Sequence, residues 1–111
     1  MCDVFCLPSY FEAYGLVFVE ALTFGLPCIG RNCYEMPYFI QDGNSSVHSD
    51  NATGLLLNHD DPKELASLML RILHNDSFSH NVISRRNEYI HEYSWDTVAE
   101  RIVEVIENQQ L

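Results

Sequence analysis

Two glutamates, Glu12 and Glu20, stand with seven residues between them near the start of the chain. Glu20 lies inside a nearly unbroken apolar run, Leu16 to Phe24. An unpaired carboxylate in apolar surroundings is costly, or it takes up a proton. Glu20 is therefore expected to have a partner, in the protein or in a ligand. The alternatives are a core acid satisfied by a backbone amide for Glu20 and a solvated loop residue for Glu12.

The segment Pro8 to Ile29 must position these carboxylates, and its pattern predicts strand, loop, helix and strand. The helix should begin near Gly15 or Leu16 and stop at Gly25. Because its residues are apolar on every side, the pattern predicts a helix buried all round. The first amides of this helix, those of Gly15, Leu16 and Val17, lack partners within it and favour an anion, phosphate above all.

The rest of the chain predicts a small parallel sheet followed by helices. The predicted strands are Cys2 to Leu7, Cys28 to Arg31 and Gly54 to Leu57, and Met36 to Ile40 forms one helical turn. The predicted helices run from Pro62 to about His74, from Ser77 to Tyr93 and from Trp95 to Asn108.

Caps and core positions follow from the same reading. Asp60 and Asp61 are expected to cap a helix rather than hold a metal, with Pro62 at its first position. Ser94 should cap the last helix, and Trp95 and Phe78 are expected to be core anchors. The expected buried face of the last helix consists of Ile102, Val103, Val105 and Ile106.

Composition limits the classes of function. The chain has 111 residues, 47% of them hydrophobic, so it forms at most one domain with a modest core. Its formal charge of −10 argues against nucleic acid or an anionic membrane surface as the main partner. No apolar run reaches the roughly 18 residues of a membrane span, and no basic leader precedes the first strand.

Four cysteines, Cys2, Cys6, Cys28 and Cys33, admit two readings. A zinc site would need their two pairs on turns, whereas these pairs fall mostly in buried strands. Free structural thiols are the favoured interpretation, and a reducing compartment, the cytoplasm, suits them. The histidines show no spacing typical of a metal site.

A family resemblance rests on an ordered series of residues. The series begins with Pro8-Ser9, Glu12, Gly15-Leu16, Glu20-Ala21, Gly25 and Pro27, and continues with Glu35, Gly54-Leu55-Leu56, Asp61-Pro62 and Tyr93-Ser94-Trp95. It resembles the E-x7-E signature and later landmarks of retaining GT-B glycosyltransferases, family 4-like (glycosyl transferases group 1). The resemblance covers nearly the whole chain.

The resemblance implies a fold and a set of roles. The fold class is α/β, a Rossmann-like partial parallel sheet corresponding to the C-terminal half of a GT-B second domain, with C-terminal helices. Glu20 would bind the ribose of a nucleotide diphosphate-sugar, and the amides of Gly15, Leu16 and Val17 would bind its diphosphate. Glu12 would reach the donor sugar at the catalytic centre. Similar enzymes transfer a hexose with retention, in polysaccharide or glycolipid biosynthesis, and need no metal or cofactor.

The chain departs from the family pattern in the loop after the second strand. Asn32-Cys33-Tyr34 stands before Glu35 where many relatives have two glycines, and Arg31 replaces a small residue. For Glu35 a turn role is as well supported as a ligand role. The segment Asn44 to Asn51 is also longer than the usual turn before Gly54.

The length predicts a single partial domain, with residues 1–60 forming the donor-site α/β part and residues 61–111 a helical part. The abrupt start at a strand predicts missing upstream sequence, which would include an N-terminal acceptor domain and any contact with a membrane surface. The fragment alone is expected to be inactive, and its exposed sheet edge is expected to promote a dimer. The alternatives are a stand-alone nucleotide- or protein-binding module without catalysis and an α/β domain without a ligand.

Overall fold

The computed structural model describes residues 2–9, 16–33, 36–45 and 50–108. Within these ranges the fold is α/β, as predicted, with a three-stranded parallel sheet and six helices. The strands are β1 (Phe5–Leu7), β2 (Cys28–Arg31) and β3 (Gly54–Leu57). The helices are α1 (Leu16–Thr23), α2 (Met36–Phe39), α3 (Pro62–Leu73), α4 (Ser77–Ser84), α5 (Arg86–Glu92) and α6 (Trp95–Asn108). The first strand is shorter than predicted, since the three residues before Phe5 are not in strand conformation.

The strands stand in the order β1-β2-β3, with Phe5 opposite Cys28 and Cys28 opposite Gly54. Residues of β3 alternate between the two faces of the sheet. Leu56 packs with Phe18 and Val82 on one face, and Leu55 packs with Ile72 on the other. The sheet is therefore covered on both sides, as is typical of parallel sheets in α/β proteins.

Helix α1 ends as the sequence predicts. Gly25 has a φ of 84°, a left-handed conformation that favours glycine. Its amide donates to the carbonyl of Leu22 at 3.0 Å, and the amide of Leu26 donates to Ala21 at 3.0 Å. This pair of bonds is a Schellman motif, and it satisfies two of the last carbonyls of the helix.

The predicted caps of α3 and α6 are confirmed. The Asp61 carboxylate accepts a hydrogen bond from the Lys63 amide at 2.9 Å, and Pro62 occupies the first turn. The Ser94 hydroxyl accepts one from the Thr97 amide at 3.2 Å. Each side chain accepts a hydrogen bond from an amide that has no partner inside its helix, so each fixes where its helix begins.

The single helix predicted from Ser77 to Tyr93 is wrong, because the chain breaks into α4 and α5 at Arg85. The Arg85 amide bonds back three residues to the Val82 carbonyl at 3.1 Å, and its φ of −103° and ψ of 5° are not helical. Its guanidinium contacts the Gln41 amide oxygen and Glu88. No glycine or proline marks this break, so long-range packing rather than local propensity accounts for it.

The predicted burial of α6 is also wrong. Phe78 is a buried core residue as expected, but Trp95 is 86% exposed. The four residues expected to form a buried face are each more than half exposed: Ile102, Val103, Val105 and Ile106. Helix α6 is amphipathic, as the sequence indicates, but among the described residues no element covers its apolar face. None of the helices in the described ranges is both long and apolar enough to cross a bilayer.

Candidate functional site

The N-terminus of α1 lies at the carboxyl edge of the sheet, because the helix follows β1 in a parallel arrangement. In open α/β sheets this edge is where ligands bind. Leu16, the first residue of α1, is 60% exposed, and Val17 is also exposed. The first amides of a helix have no partner inside it and carry partial positive charge. The start of α1 is therefore open to an anion from solvent.

Glu20 lies one turn along α1 from Leu16, on the same side of the helix. It is exposed, which corrects the prediction that α1 is buried all round. The buried side of α1 consists of Phe18, Val19, Ala21 and Leu22. Because Glu20 reaches water, its carboxylate is stable without a partner, and no described side chain pairs with it. Its position thus leaves it available to a ligand.

A cavity of about 390 Å³ runs beside this exposed side of α1. Leu16 and Glu20 form part of one wall, and Tyr93 and Trp95 form part of the other. The cavity is within the range of small-molecule sites, which is about 300–1,000 Å³. An apolar cleft with one carboxylate and a nearby helix start suits a ligand that has a flat apolar part, hydroxyls and an anionic group.

The ends of β2 and β3 add polar groups to the same edge. The Arg31 guanidinium pairs with the Asp60 carboxylate, and its Nε donates to the Pro8 carbonyl at 3.2 Å. The Asn32 amide nitrogen donates to the Asn58 side chain at 2.7 Å. Sequence reasoning treated Arg31 as a departure from the family and missed its structural role. A basic residue at the end of a buried parallel strand was the available signal.

The loop after β3 is held by Glu64 from α3. Its carboxylate accepts a hydrogen bond from the Asn58 amide at 2.8 Å and contacts His59 Nδ1 at 3.0 Å. The Asn58 amide, and to a smaller extent His59, lower the pKa of the Glu64 carboxyl below its usual value. The loop and the start of α3 are therefore fixed relative to the carboxyl edge.

Three predicted site residues, Glu12, Gly15 and Glu35, lie outside the described residues, and their roles stay predictions. The four cysteines are free, as expected. Within the described ranges, no three His, Cys, Asp or Glu side chains are placed to share a metal ion.

The fold and this edge define a class: an α/β domain with a parallel sheet whose candidate ligand site lies at the carboxyl ends of the strands. Comparison of sequences then gives the family. The family model for "Glycosyl transferases group 1" matches residues 1–89, which is most of the chain. The protein belongs to the glycosyl transferases group 1 family, as the residue series indicates.

Named relatives agree with this family. The chain is 29% identical over 99 residues to a D-inositol 3-phosphate glycosyltransferase of Nocardioides sp., a match that covers 89% of the chain and 20% of the relative. It is 29% identical over 106 residues to a phosphatidyl-myo-inositol mannosyltransferase of Mycobacterium leprae, covering 95% of the chain and 26% of the relative.

A third relative is an N-acetyl-alpha-D-glucosaminyl L-malate synthase of Bacillus anthracis. It is 32% identical over 92 residues, which cover 83% of the chain and 22% of the relative. The chain thus spans about a fifth to a quarter of the length of these three relatives.

Proposed function

We propose that this chain forms the donor-binding part of a GT-B glycosyltransferase that moves a hexose from a nucleotide diphosphate-sugar to an acceptor with retention. The observation that carries the proposal is the placement of Leu16 and Glu20 on one exposed side of α1, which begins at the carboxyl edge of the sheet and has a cavity along that side. Membership of the glycosyl transferases group 1 family supports it.

The parts of a nucleotide diphosphate-sugar match the groups along this edge in turn. The Glu20 carboxylate can accept two hydrogen bonds from the ribose diol, and both are charge-assisted. The amides that begin α1 can bind the diphosphate. They would also stabilise the negative charge that grows on it as the glycosidic bond breaks. Glu12, eight residues before Glu20, would reach the donor sugar, and Gly15 would contribute its amide to the phosphate site.

Binding by the chain alone should be weak, and no turnover is expected from it. An exposed helix N-terminus contributes only about 0.3–1 kcal/mol per anion, and the net charge of −10 opposes a dianion at long range. Glycosyl transfer also requires an acceptor held in line with the donor, and such positioning supplies much of the rate. We place the acceptor site in a second domain, across a cleft from this edge.

The test is the affinity of the purified chain for uridine and guanosine diphosphates, followed by the ³¹P chemical shifts in a titration. Glu20→Gln keeps the shape of the side chain but removes the charge that strengthens both ribose bonds. Affinity for the preferred nucleotide should fall roughly tenfold, since one such bond is worth about 1.5 kcal/mol more than a neutral one.

Glu107→Gln is the matched control, because it makes the same charge change on α6 and Glu107 does not line the cavity. The control should bind as the unmodified chain does. Equal affinity in the Glu20→Gln variant and the control would remove Glu20 from the site. Release of nucleotide from a nucleotide sugar, above background and lost in Glu12→Ala, would show that the chain is itself an enzyme.

A further inference from the structure

A second cavity, of about 260 Å³, lies between α1, α2 and α5. It shares Val19, Tyr89 and Tyr93 with the cavity beside Glu20, but neither Leu16 nor Glu20 lines it. The two cavities therefore adjoin along this shared wall, but Leu16 and Glu20, the donor-site residues, line only the first. Its volume lies just below the roughly 300–1,000 Å³ typical of drug-sized ligands, so it suits a single ring.

Aromatic side chains form much of its wall. The Phe39 ring lies 5.5 Å from the Tyr38 ring and 6.0 Å from the Tyr93 ring, measured between centroids. Tyr38 is 66% exposed. Its ring therefore presents a large apolar surface that a ligand could cover. An exposed aromatic ring at the mouth of a cavity offers a flat surface on which the C–H face of a sugar ring can stack.

The polar groups of the cavity are held in place by one another. Arg85 contacts the Gln41 side chain and donates from Nε to Glu88 at 3.2 Å. Glu92 accepts two hydrogen bonds from Arg101, at 3.0 and 2.7 Å. Carboxylates and guanidinium groups fixed in this way can bond vicinal hydroxyls with their remaining lone pairs and N–H groups. Among the described residues, the lining carries one cation, Arg85, and two carboxylates, so it does not favour an anion.

Tyr89 contributes its ring to the wall, whereas its hydroxyl is buried. Tyr89 is only 8% exposed, and its buried hydroxyl makes no hydrogen bond within the described part of the chain. Burial raises the pKa of this hydroxyl, and the neighbouring Thr53 side chain partly offsets that effect. The hydroxyl has almost no solvent-accessible surface, so it lies in the core near Thr53, and only the ring of Tyr89 contributes to the cavity wall.

We propose that this cavity binds one neutral hexopyranose unit of a glycan, separately from the nucleotide-sugar donor. Tyr38 would stack on the sugar ring, and Glu88 and Arg85 would bond its hydroxyls. In an enzyme that handles sugars, such a site would retain a glycan chain near the site of transfer. The binding itself does not depend on the proposed function, because Tyr38, Arg85 and Glu88 do not line the cavity beside Glu20.

The experiment is saturation-transfer difference NMR on the complete 111-residue chain, which detects weak binding and tolerates self-association. The probes are methyl α-D-glucopyranoside and methyl α-D-mannopyranoside, with methyl α-D-glucuronide as an anionic probe of the same ring. Saturation should pass to at least one neutral glycoside, most strongly to its ring protons, and much less to the glucuronide. Uridine diphosphate should not displace the bound glycoside.

Two variants test the assignment. Tyr38→Ala and Glu88→Gln change exposed side chains on different helices, so both variants should fold. Far-UV circular dichroism verifies the helix content of each variant. Either should weaken glycoside binding roughly fivefold or more, as for loss of an aromatic or charge-assisted contact. Phe24→Ala, which removes an exposed ring outside the cavity, should leave binding unchanged.

Three results would overturn the proposal: no transfer to either neutral glycoside, equal transfer in both variants, or displacement by uridine diphosphate. The last would place the glycoside in the donor site instead. Glu20→Gln separates the two claims, because it should weaken nucleotide binding and leave glycoside binding intact. A failure of the donor proposal would therefore not affect this test.

Discussion

The Gly54→Ala substitution should be among the most destabilising single changes in this chain, because β2 and β3 leave no room for a Cβ atom. A Cβ at position 54 would lie 2.0 Å from the carbonyl oxygen of Cys28 and 2.9 Å from its carbon. These are backbone atoms of the adjacent strand, so they cannot move without opening the sheet. Cys28 and Gly54 are direct partners in the parallel register.

The magnitude combines two costs. Overpacking a core typically costs about 1–3 kcal/mol, and each hydrogen bond lost from the β2–β3 pair costs about 1 kcal/mol more. The expected loss is roughly 3–5 kcal/mol. Proteins are stable by about 0.05–0.15 kcal/mol per residue, so the change removes a large fraction of the total for 111 residues.

Urea unfolding followed by far-UV circular dichroism measures the effect. With a slope of about 2 kcal/mol per molar urea, the midpoint should fall by roughly 2 M, or the variant should be unfolded in water. Gly30→Ala is the matched control, since its Cβ would meet only side-chain atoms, the nearest being Ile40 Cδ1 at 3.0 Å. That substitution should cost about 1–2 kcal/mol, because side chains can shift where the backbone of a paired strand cannot. Equal midpoints for the two variants would refute the reasoning.

Three further predictions concern a cap, a buried thiol and the sheet edge. Asp61→Ala should lower the free energy of unfolding by about 1 kcal/mol because it removes a cap bond. Asp76→Ala should not, because the Asp76 side chain makes no cap bond at the start of α4; equal urea midpoints for the two variants would contradict this. Burial raises the pKa of the Cys28 thiol from 9.0 to about 12, so the contribution of this thiol to stability should be constant below pH 9 and should fall above it by about 1.4 kcal/mol per pH unit. The decline begins where the unfolded thiol ionises while the folded one stays protonated, and a pH series that stays flat from 9 to 10.5 would disprove it. Strand β1 is an edge strand of the described sheet, so the chain should dimerise or aggregate, and light scattering that shows a monomer across a wide concentration range would exclude this.

Much of the local structure follows from the sequence alone. The bounds of β2, β3 and α6, the stop of α1 at Gly25 and the caps Asp61 and Ser94 were all predicted correctly. These features depend on neighbouring residues: a glycine that takes positive φ, a carboxylate or hydroxyl within reach of the next amides, and a short apolar run. The family also follows from the sequence, because its landmarks are ordered along the chain.

Only the tertiary structure decided which apolar faces are covered. Glu20 was expected inside a buried helix, and Ile102 and Ile106 on a buried face, yet all three are exposed. The hydrophobic pattern of a helix shows that a face is suited to contact, but not that another element lies against it. Arg85 illustrates the same limit, since Gln41, 44 residues away in sequence, binds its guanidinium where the helix breaks. The cavity between α1, α2 and α5 joins residues from Val19 to Tyr93. No local pattern could bring them together, because their proximity depends on how the helices pack on the sheet.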